Sequence, residues 1–443
     1  MKIQQFVTES LGDASFLVVS GGQAAVIDPQ RDIRPYMVAA NEHRASIRYV
    51  FETHVHNDYI SGARELAAYG AEIAAPAGAP LQFAHIAVAD GDAITLGELN
   101  LVAVAAPGHT YEHTAYLARD LNGLVQAAFT GGALLMGAAG RTDLLGPDHA
   151  SELTRFQWDT AQTLRGLVPA SADVFPTHGA GSFCSTTGAD LGRSGPMSAE
   201  LARNPALTAA TYEEFREIQL GNPAPIPAYY RHMAPINIRG ARVYGSFPRP
   251  AVQAPGAFAS LPEDVFRVDV RPRQQYAAGY LPGSLSIEES GSMLAYLSWL
   301  VPFKAPLALI THDRAQSERI TVELFRIGYE DIRAYIAADA MEPPAVLRTA
   351  GIEEAAAILR TAAMPVLDVR YAAEHRESPL PGARPLPFDQ IQVWAQEIEA
   401  GGPALVVCAS GERAAPAATF LRRHGIEAIP LIDGGVDDLL GRI

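Results

Sequence analysis

Four histidines in this sequence stand where an apolar run gives way to a loop. Thr53-His54-Val55-His56-Asn57-Asp58-Tyr59 follows one such run directly, His109 lies in Pro107-Gly108-His109-Thr110, and His178 lies in Pro176-Thr177-His178-Gly179. Imidazoles with a carboxylate such as Asp58 suit a borderline divalent ion. Loops beyond strand ends are where a rigid sheet can present such ligands to one crevice. A lone loop histidine is more often a solvated or satisfied polar group, but four in the same setting point to metal chemistry. His113, four residues past His109, reads as a supporting or surface group. A second signature is Cys408-Ala409-Ser410-Gly411-Glu412-Arg413, between the apolar run 404–407 and a helix-like segment 414–424. A cysteine placed there meets converging backbone N–H groups and the positive end of a helix dipole, and Arg413 adds a permanent charge. All three stabilise negative charge on sulfur, which is the nucleophilic form. The backbone at Ser410 and Gly411 would cradle a terminal persulfide, and Gly411 permits the tight turn.

These residues need strands and helices to hold them. Residues 16–20 and 24–27 read as a hairpin about Gly21-Gly22, 47–52 as a strand, and 62–69 as a helix. Further strands are expected at 101–105, 124–129 and 173–175. This alternation predicts layered α/β structure over the first 200 residues. The Pro-rich stretch 200–250 reads as a partly helical connector. Beyond it lies an internal repeat. FRVDVRPRQQYAAGYLPGSLSI from Phe266 matches PVLDVRYAAEHRESPLPGARPL from Pro365, pairing Asp269-Val270-Arg271 with Asp368-Val369-Arg370. Aligning Gly328 with Gly425 sets Thr311 opposite Cys408, so two copies of one small α/β unit are expected, only the second with a sulfur nucleophile.

Length and composition fit this division. The chain has 443 residues, 48% of them hydrophobic and 19% charged, with a net charge of −15. That is material for about three soluble domains. Nucleic acid and anionic membrane are disfavoured as partners, because both reward clustered Lys and Arg. The start, MKIQQFVTES, lacks a basic segment followed by an apolar run, and no apolar stretch is long enough to span a bilayer. Two cysteines, Cys184 and Cys408, exclude a disulfide framework and suggest a reducing, cytoplasmic setting.

HVHND, PGHT, FTG, GRTDLLG and PTHGAGSFC, in this order, resemble the metallo-β-lactamase fold, and within it the glyoxalase-II-like and persulfide dioxygenase branch, over about residues 1–240. The resemblance implies an αββα sandwich over 1–245 and one Fe(II) held by two histidines and an aspartate. The histidines fall on His54 and His109. The aspartate should follow Phe129-Thr130-Gly131, where this chain has Gly132, and the final histidine of the first motif is replaced by Tyr59. Three outcomes stay open: a three-histidine site of His54, His56 and His109; a site of His54 and His109 completed by water, an anion or substrate sulfur; or an empty scaffold, with Asp58 and His178 as supporting or vestigial groups. Zinc is the alternative metal. If an aspartate is all that is missing, Gly132→Asp should raise iron occupancy. Arg141, in the GRTD marker, is either a clamp for a substrate carboxylate or an internal partner of Asp143. Cys184 is either a sulfur-handling thiol or a small buried residue.

The loop from Cys408 to Arg413 resembles that of rhodaneses, with DVR, PGA and Asp433-Gly434-Gly435 in support over 350–443. The earlier copy, 255–345, has Thr311-His312-Asp313-Arg314 instead and reads as an inert rhodanese-like domain. Together the modules resemble bacterial fusions of persulfide dioxygenase with rhodanese. That implies oxidation of a persulfide such as glutathione persulfide to sulfite, with Cys408 carrying sulfane sulfur to sulfite or to a thiol acceptor. The rival readings are a metal-dependent thioester hydrolase like glyoxalase II, and a sulfurtransferase whose first domain only binds. The oligomeric state is open, a homo-oligomer included.

Overall fold

The computed structural model describes residues 1–185, 191–221, 223–341, 345–398 and 402–443. It separates into two compact units, one of residues 1–226 with 230–247, the other of 227–229 with 248–443.

The first unit is built on two six-stranded sheets. One runs in chain order from Lys2–Thr8 to Ile86–Val88, starting antiparallel and turning parallel from Gln23–Ile27 onward. The other runs in reverse chain order, from Gly195–Pro196 back to Ala93–Leu96. Phe16, Phe51, Tyr116 and Phe129 pack between the sheets. On the outer face of the first sheet, Tyr36 and Ala39 of the helix Arg34–Glu42 and Leu66 of Ala63–Ala67 close a second apolar layer. On the outer face of the second, Ala161 and Leu164 of Pro147–Leu167 do the same. A strand covered on both faces is buried at every position, as Asp13–Ser20 is, and its polar Asp13 and Ser15 are paired with His178 and Tyr36. The result is the expected αββα sandwich. Ligand-bearing loops leave the ends of Ser46–Phe51, Leu99–Ala105 and Asp173–Pro176.

The second unit contains two parallel sheets of one pattern. The first orders Ile332–Ala337, Leu307–Thr311, Phe266–Asp269 and Leu285–Ser286 side by side, with Ala251–Val252 added at the edge. The second orders Ala428–Pro430, Ala404–Val407, Val366–Asp368 and Ala383–Pro385. The repeated Asp-Val-Arg has one job in both. Arg271 turns back on Asp269 at 2.6 Å and donates to Gly279 O, and Arg370 turns back on Asp368 at 2.7 Å and donates to Ser378 O. Each arginine thereby ties its strand end to the following helix. Among the described residues, no helix is long and apolar enough to cross a membrane.

Candidate metal centre and cysteine loop

His54, His109 and His178 meet in the crevice of the first unit, each at most 2% exposed, with one ligand nitrogen from each within 4.8 Å of the others. Their ring orientations are fixed from behind. Thr53 Oγ1 donates to Asp28, so it accepts from His54 Nδ1 at 2.8 Å. His109 Nδ1 donates to Arg141 O at 2.8 Å. His178 Nδ1 donates to Asp13 at 2.9 Å, with Asp58 also 3.2 Å away. In all three rings the second nitrogen, Nε2, is left to face the crevice, which is how metal-binding histidines are oriented by their outer partners. His109 Nε2 is buried with no hydrogen-bond partner. The Nε2 atoms of His54 and His178 lie 3.4 Å apart, close to the ~3.3 Å expected between two nitrogens sharing a tetrahedral ion. The donor set therefore fits a divalent metal.

The electrostatics agree. Burial and neighbouring imidazoles drive His54 well below its ordinary pKa, and burial with His178 pushes His109 down to about 3. Burial opposes charge on His178 too, but Asp58 and Asp13 outweigh it and raise it to about 10. Without metal, a proton on His178 Nε2 sits between two rings; a metal ion takes the place of that proton.

His56 faces elsewhere. Its Nε2 lies 3.3 Å from Asp28, 3.2 Å from Glu52 and 3.0 Å from Tyr59 Oη, and only Nδ1 approaches Asp58, at 3.9 Å. Of the three-histidine combinations, the structure brings together His54, His109 and His178 rather than His54, His56 and His109. Asp28, Glu52 and Asp13 escaped the sequence reading. Asp28 has a left-handed φ of 50° just after a strand, and its carboxylate accepts from Thr53 N, Thr53 Oγ1 and Thr177. A carboxylate at a strand end followed by proline was the available signal. Asn237 braces the loop, donating to His56 O and Tyr59 O.

Gly132 corrects one expectation. A Cβ built there would lie 2.5 Å from His109 Cγ, and one at Gly140 would lie 2.8 Å from His109 Nδ1. The ring of His109 fills the slot between these glycines, so an aspartate at 132 has no room beside it. His113, buried, accepts from Gly132 N at 2.9 Å. Arg141 is committed internally: Nε and Nη2 bind Asp143, and Nη1 binds Phe183 O and Ala224 O. It is an internal ion pair rather than a free carboxylate clamp. Cys184 is buried, 3.6 Å from Tyr230 Oη, and burial together with Asp58 and Asp13 raises its thiol well above the usual range. That setting favours the thiol over the thiolate.

In the second unit, Cys408 ends the strand Ala404–Val407, and Gly411 N donates to its Sγ at 3.1 Å. Gly411 has a φ of 86°, and a side chain there would strike the Ile432 carbonyl. The helix Ala414–Arg423 begins without a side-chain cap, but Ala415 N already donates to Gly411 O and Pro416 has no N–H, so Gly411 N is the donor that reaches the sulfur. Arg413 pairs with Glu374 (Nη2 to Oε1 2.7 Å) and lies 4.5 Å from the Tyr371 ring, so its charge reaches Cys408 already partly balanced. The other copy closes the equivalent place: Asp313 caps the helix Arg314–Arg326, accepting from Gln316 N at 2.8 Å. The Asp313 carboxylate thus takes the Gln316 N–H at that helix start. Residues of this copy also grip the cysteine loop. Arg273 donates to Ile432 O and Ser410 O, and Ser290 to Glu412.

Comparison with known proteins matches two family models, the metallo-beta-lactamase superfamily over residues 11–178 and the rhodanese-like domain over 352–441. A hydroxyacylglutathione hydrolase of Acidiphilium cryptum is 31% identical over 231 residues, covering 46% of this chain and 89% of the relative. The mitochondrial persulfide dioxygenase of Homo sapiens is 29% identical over 229 residues, 49% of this chain and 79% of that protein. The cytoplasmic hydroxyacylglutathione hydrolase of Arabidopsis thaliana is 33% identical over 132 residues, 29% of this chain and 51% of the relative, so the chain spans only about half of that protein. A crystal structure of a metallo-beta-lactamase from Staphylococcus aureus subsp. aureus COL shares the fold, with a TM-score of 0.67 and 24% identity over 76% of this chain and 98% of that one. The sandwich, the histidine crevice and these matches together place the chain in the metallo-beta-lactamase superfamily, with a rhodanese-like domain following in the same polypeptide.

Proposed function

We propose that this chain oxidises a low-molecular-weight persulfide, such as glutathione persulfide, to sulfite at a mononuclear iron held by His54, His109 and His178, and that Cys408 carries sulfane sulfur alongside. The observation that carries this reading is the convergence of three outward-facing Nε2 atoms on one point. A second group of potential ligands, His56, Asp58 and His178, adjoins it but shares His178 with the first, and neither Gly132 nor Tyr59, whose Oη donates to Asp28 O, adds a donor to it. When bound, iron would supply the redox chemistry of RSSH + O2 + H2O → RSH + SO3²⁻ + 2H⁺. The protein's part is to orient the rings through Thr53, Arg141 O and Asp13, and to take up the proton released from His178 on the Asp13–Asp58 pair. Burial and Asp58 raise Asp13 to about 7, near the working range for such a group.

At the second site, Cys408 sulfur attacks the terminal sulfur of RSSH, releasing RS⁻ and forming a cysteine persulfide whose charge Gly411 N receives. Sulfite or a thiol then accepts that sulfur. Residues 1–245, 255–345 and 350–443 act in this reading as the oxidising, inert and transferring domains, in a reducing, cytoplasmic compartment that keeps both free cysteines as thiols. Tethering raises the effective concentration of one site at the other.

The hydroxyacylglutathione hydrolases among the relatives favour a second reading, thioester hydrolysis with zinc at the same histidines. Dioxygen uptake separates the two. Anaerobically purified, Fe(II)-supplemented protein given glutathione persulfide should consume dioxygen and release sulfite, and His54→Ala and His109→Ala should abolish both. Hydrolysis of a glutathione thioester without dioxygen uptake would overturn the oxidative reading.

A further inference from the structure

Beside the histidines opens a narrow cleft, with Glu52, His54 and His56 at its polar end and Ala75, Pro76, Leu81 and Phe83 among its apolar walls. Arg64 is the one Lys or Arg among the described residues that line it. Its guanidinium is set in place before any ligand arrives: Nη1 donates to Ala241 O at 2.8 Å, and the group lies 5.7 Å from the centre of the Phe83 ring. Gly240, with a φ of 84°, makes the room. A Cβ there would lie 2.7 Å from Arg64 Cδ and 2.9 Å from Phe83 Cδ1. Nε and Nη2 have no partner among the described residues, and Arg64 makes no ion pair. Arg64 is half-buried, with its charge balanced by no carboxylate among the described residues. Nothing in the oxidation or the sulfur transfer uses it.

We propose that Arg64 anchors a carboxylate of the substrate, so that the cleft selects persulfides with a sulfur at one end, a slim apolar middle and a single recognised carboxylate at the other. This rests on the reading of the histidines as the reacting centre. A guanidinium fork with a fixed plane suits a carboxylate better than an ammonium does. The Phe83 face and the Ala241 carbonyl remove rotamers that Arg64 would otherwise lose on binding. Glu52 at the far end is engaged by His56 and Ser61, so it does not cancel the attraction at Arg64. The apolar walls suit methylene groups between the two anchor points.

The test uses an unreactive ligand, so that binding is read apart from oxidation. S-methylglutathione and its diethyl ester are titrated calorimetrically into the full chain loaded with zinc. The wild type should bind the acid roughly tenfold or more tightly than the ester, the difference made by one charge-assisted pair. Arg64→Gln should bind both alike, and Arg64→Lys should regain part of the preference. An arginine that merely fastened Ala241 would lower the melting temperature on substitution and leave the acid-to-ester ratio unchanged. That result, or a wild type that binds acid and ester alike, overturns the proposal. Should Arg64→Gln fail to fold, the wild-type ratio and Arg64→Lys still decide it. Acid preference that depends on Arg64, without dioxygen uptake from glutathione persulfide, would retire the oxidative reading and keep the anchor.

Discussion

Adding one methyl group at Gly132 probes the seat of His109 without touching a ligand. The new Cβ would lie 2.5 Å from His109 Cγ, whereas carbon atoms rest about 3.5–4.0 Å apart, so the ring must retreat by about 1 Å. Its Nδ1 is already held at 2.8 Å by Arg141 O, and a shift of that size breaks the hydrogen bond that aims Nε2. Losing such an orienting partner costs roughly 10- to 100-fold in metal affinity, or about 1.4–2.7 kcal/mol. Crowding adds a fold penalty of about 1–3 kcal/mol. Aspartate needs the same Cβ and meets the same obstruction, so Gly132→Asp should lower metal occupancy rather than restore a lost ligand. Bound iron or zinc per chain, measured after equilibration with graded chelator, reports the affinity, and circular dichroism melting reports the fold. A Gly132→Ala or Gly132→Asp protein that keeps wild-type metal and wild-type melting would refute the placement of the His109 ring.

Three other outcomes are expected. His178→Asn should lose metal by roughly 10- to 100-fold while leaving Cys408-dependent sulfur transfer intact, measured by metal content and by thiocyanate formation from thiosulfate and cyanide. In a Cys408→Ser background, Cys184 should react slowly with iodoacetamide, and at a rate that hardly changes from pH 7 to pH 9. Its pKa is raised, so the thiolate fraction stays negligible across that window and grows only above it, and fast labelling should appear only on unfolding in urea. Thr311→Cys should not make the first copy a sulfurtransferase, as cold-cyanolysis assay of bound persulfide will show, because the Asp313 carboxylate still sits at the helix start and holds the Gln316 N–H.

Much of this was legible in residue order. His54, His109 and His178 announced themselves by following apolar runs, and Cys408 by lying between a strand and a helix. The repeat was readable because Asp-Val-Arg recurs, and the structure shows why it recurs: the arginine is a pin in both copies. What stayed hidden depended on side-chain direction and on partners distant in the chain. His56 and His54 are two residues apart, yet His56 Nε2 turns to Asp28, which no spacing rule couples to it. Arg141 looked available until Phe183 O and Ala224 O were brought to it. Gly132 read as a missing ligand, whereas in three dimensions it is space that His109 uses.

The grip of Arg273 and Ser290 on the cysteine loop has an evolutionary consequence. A duplicated domain that loses its nucleophile is commonly free to drift, since no reaction depends on it. Here the copy without the cysteine holds Ser410 O on one side of Gly411 and the Glu412 carboxylate on the other, and the Gly411 N–H reaches Cys408. Changes at Arg273, or at Glu288 which pairs with it, would therefore be felt as altered chemistry in the neighbouring domain. The two copies are bound to a shared fate, and the one without the cysteine should tolerate change worst where it faces the one that carries Cys408.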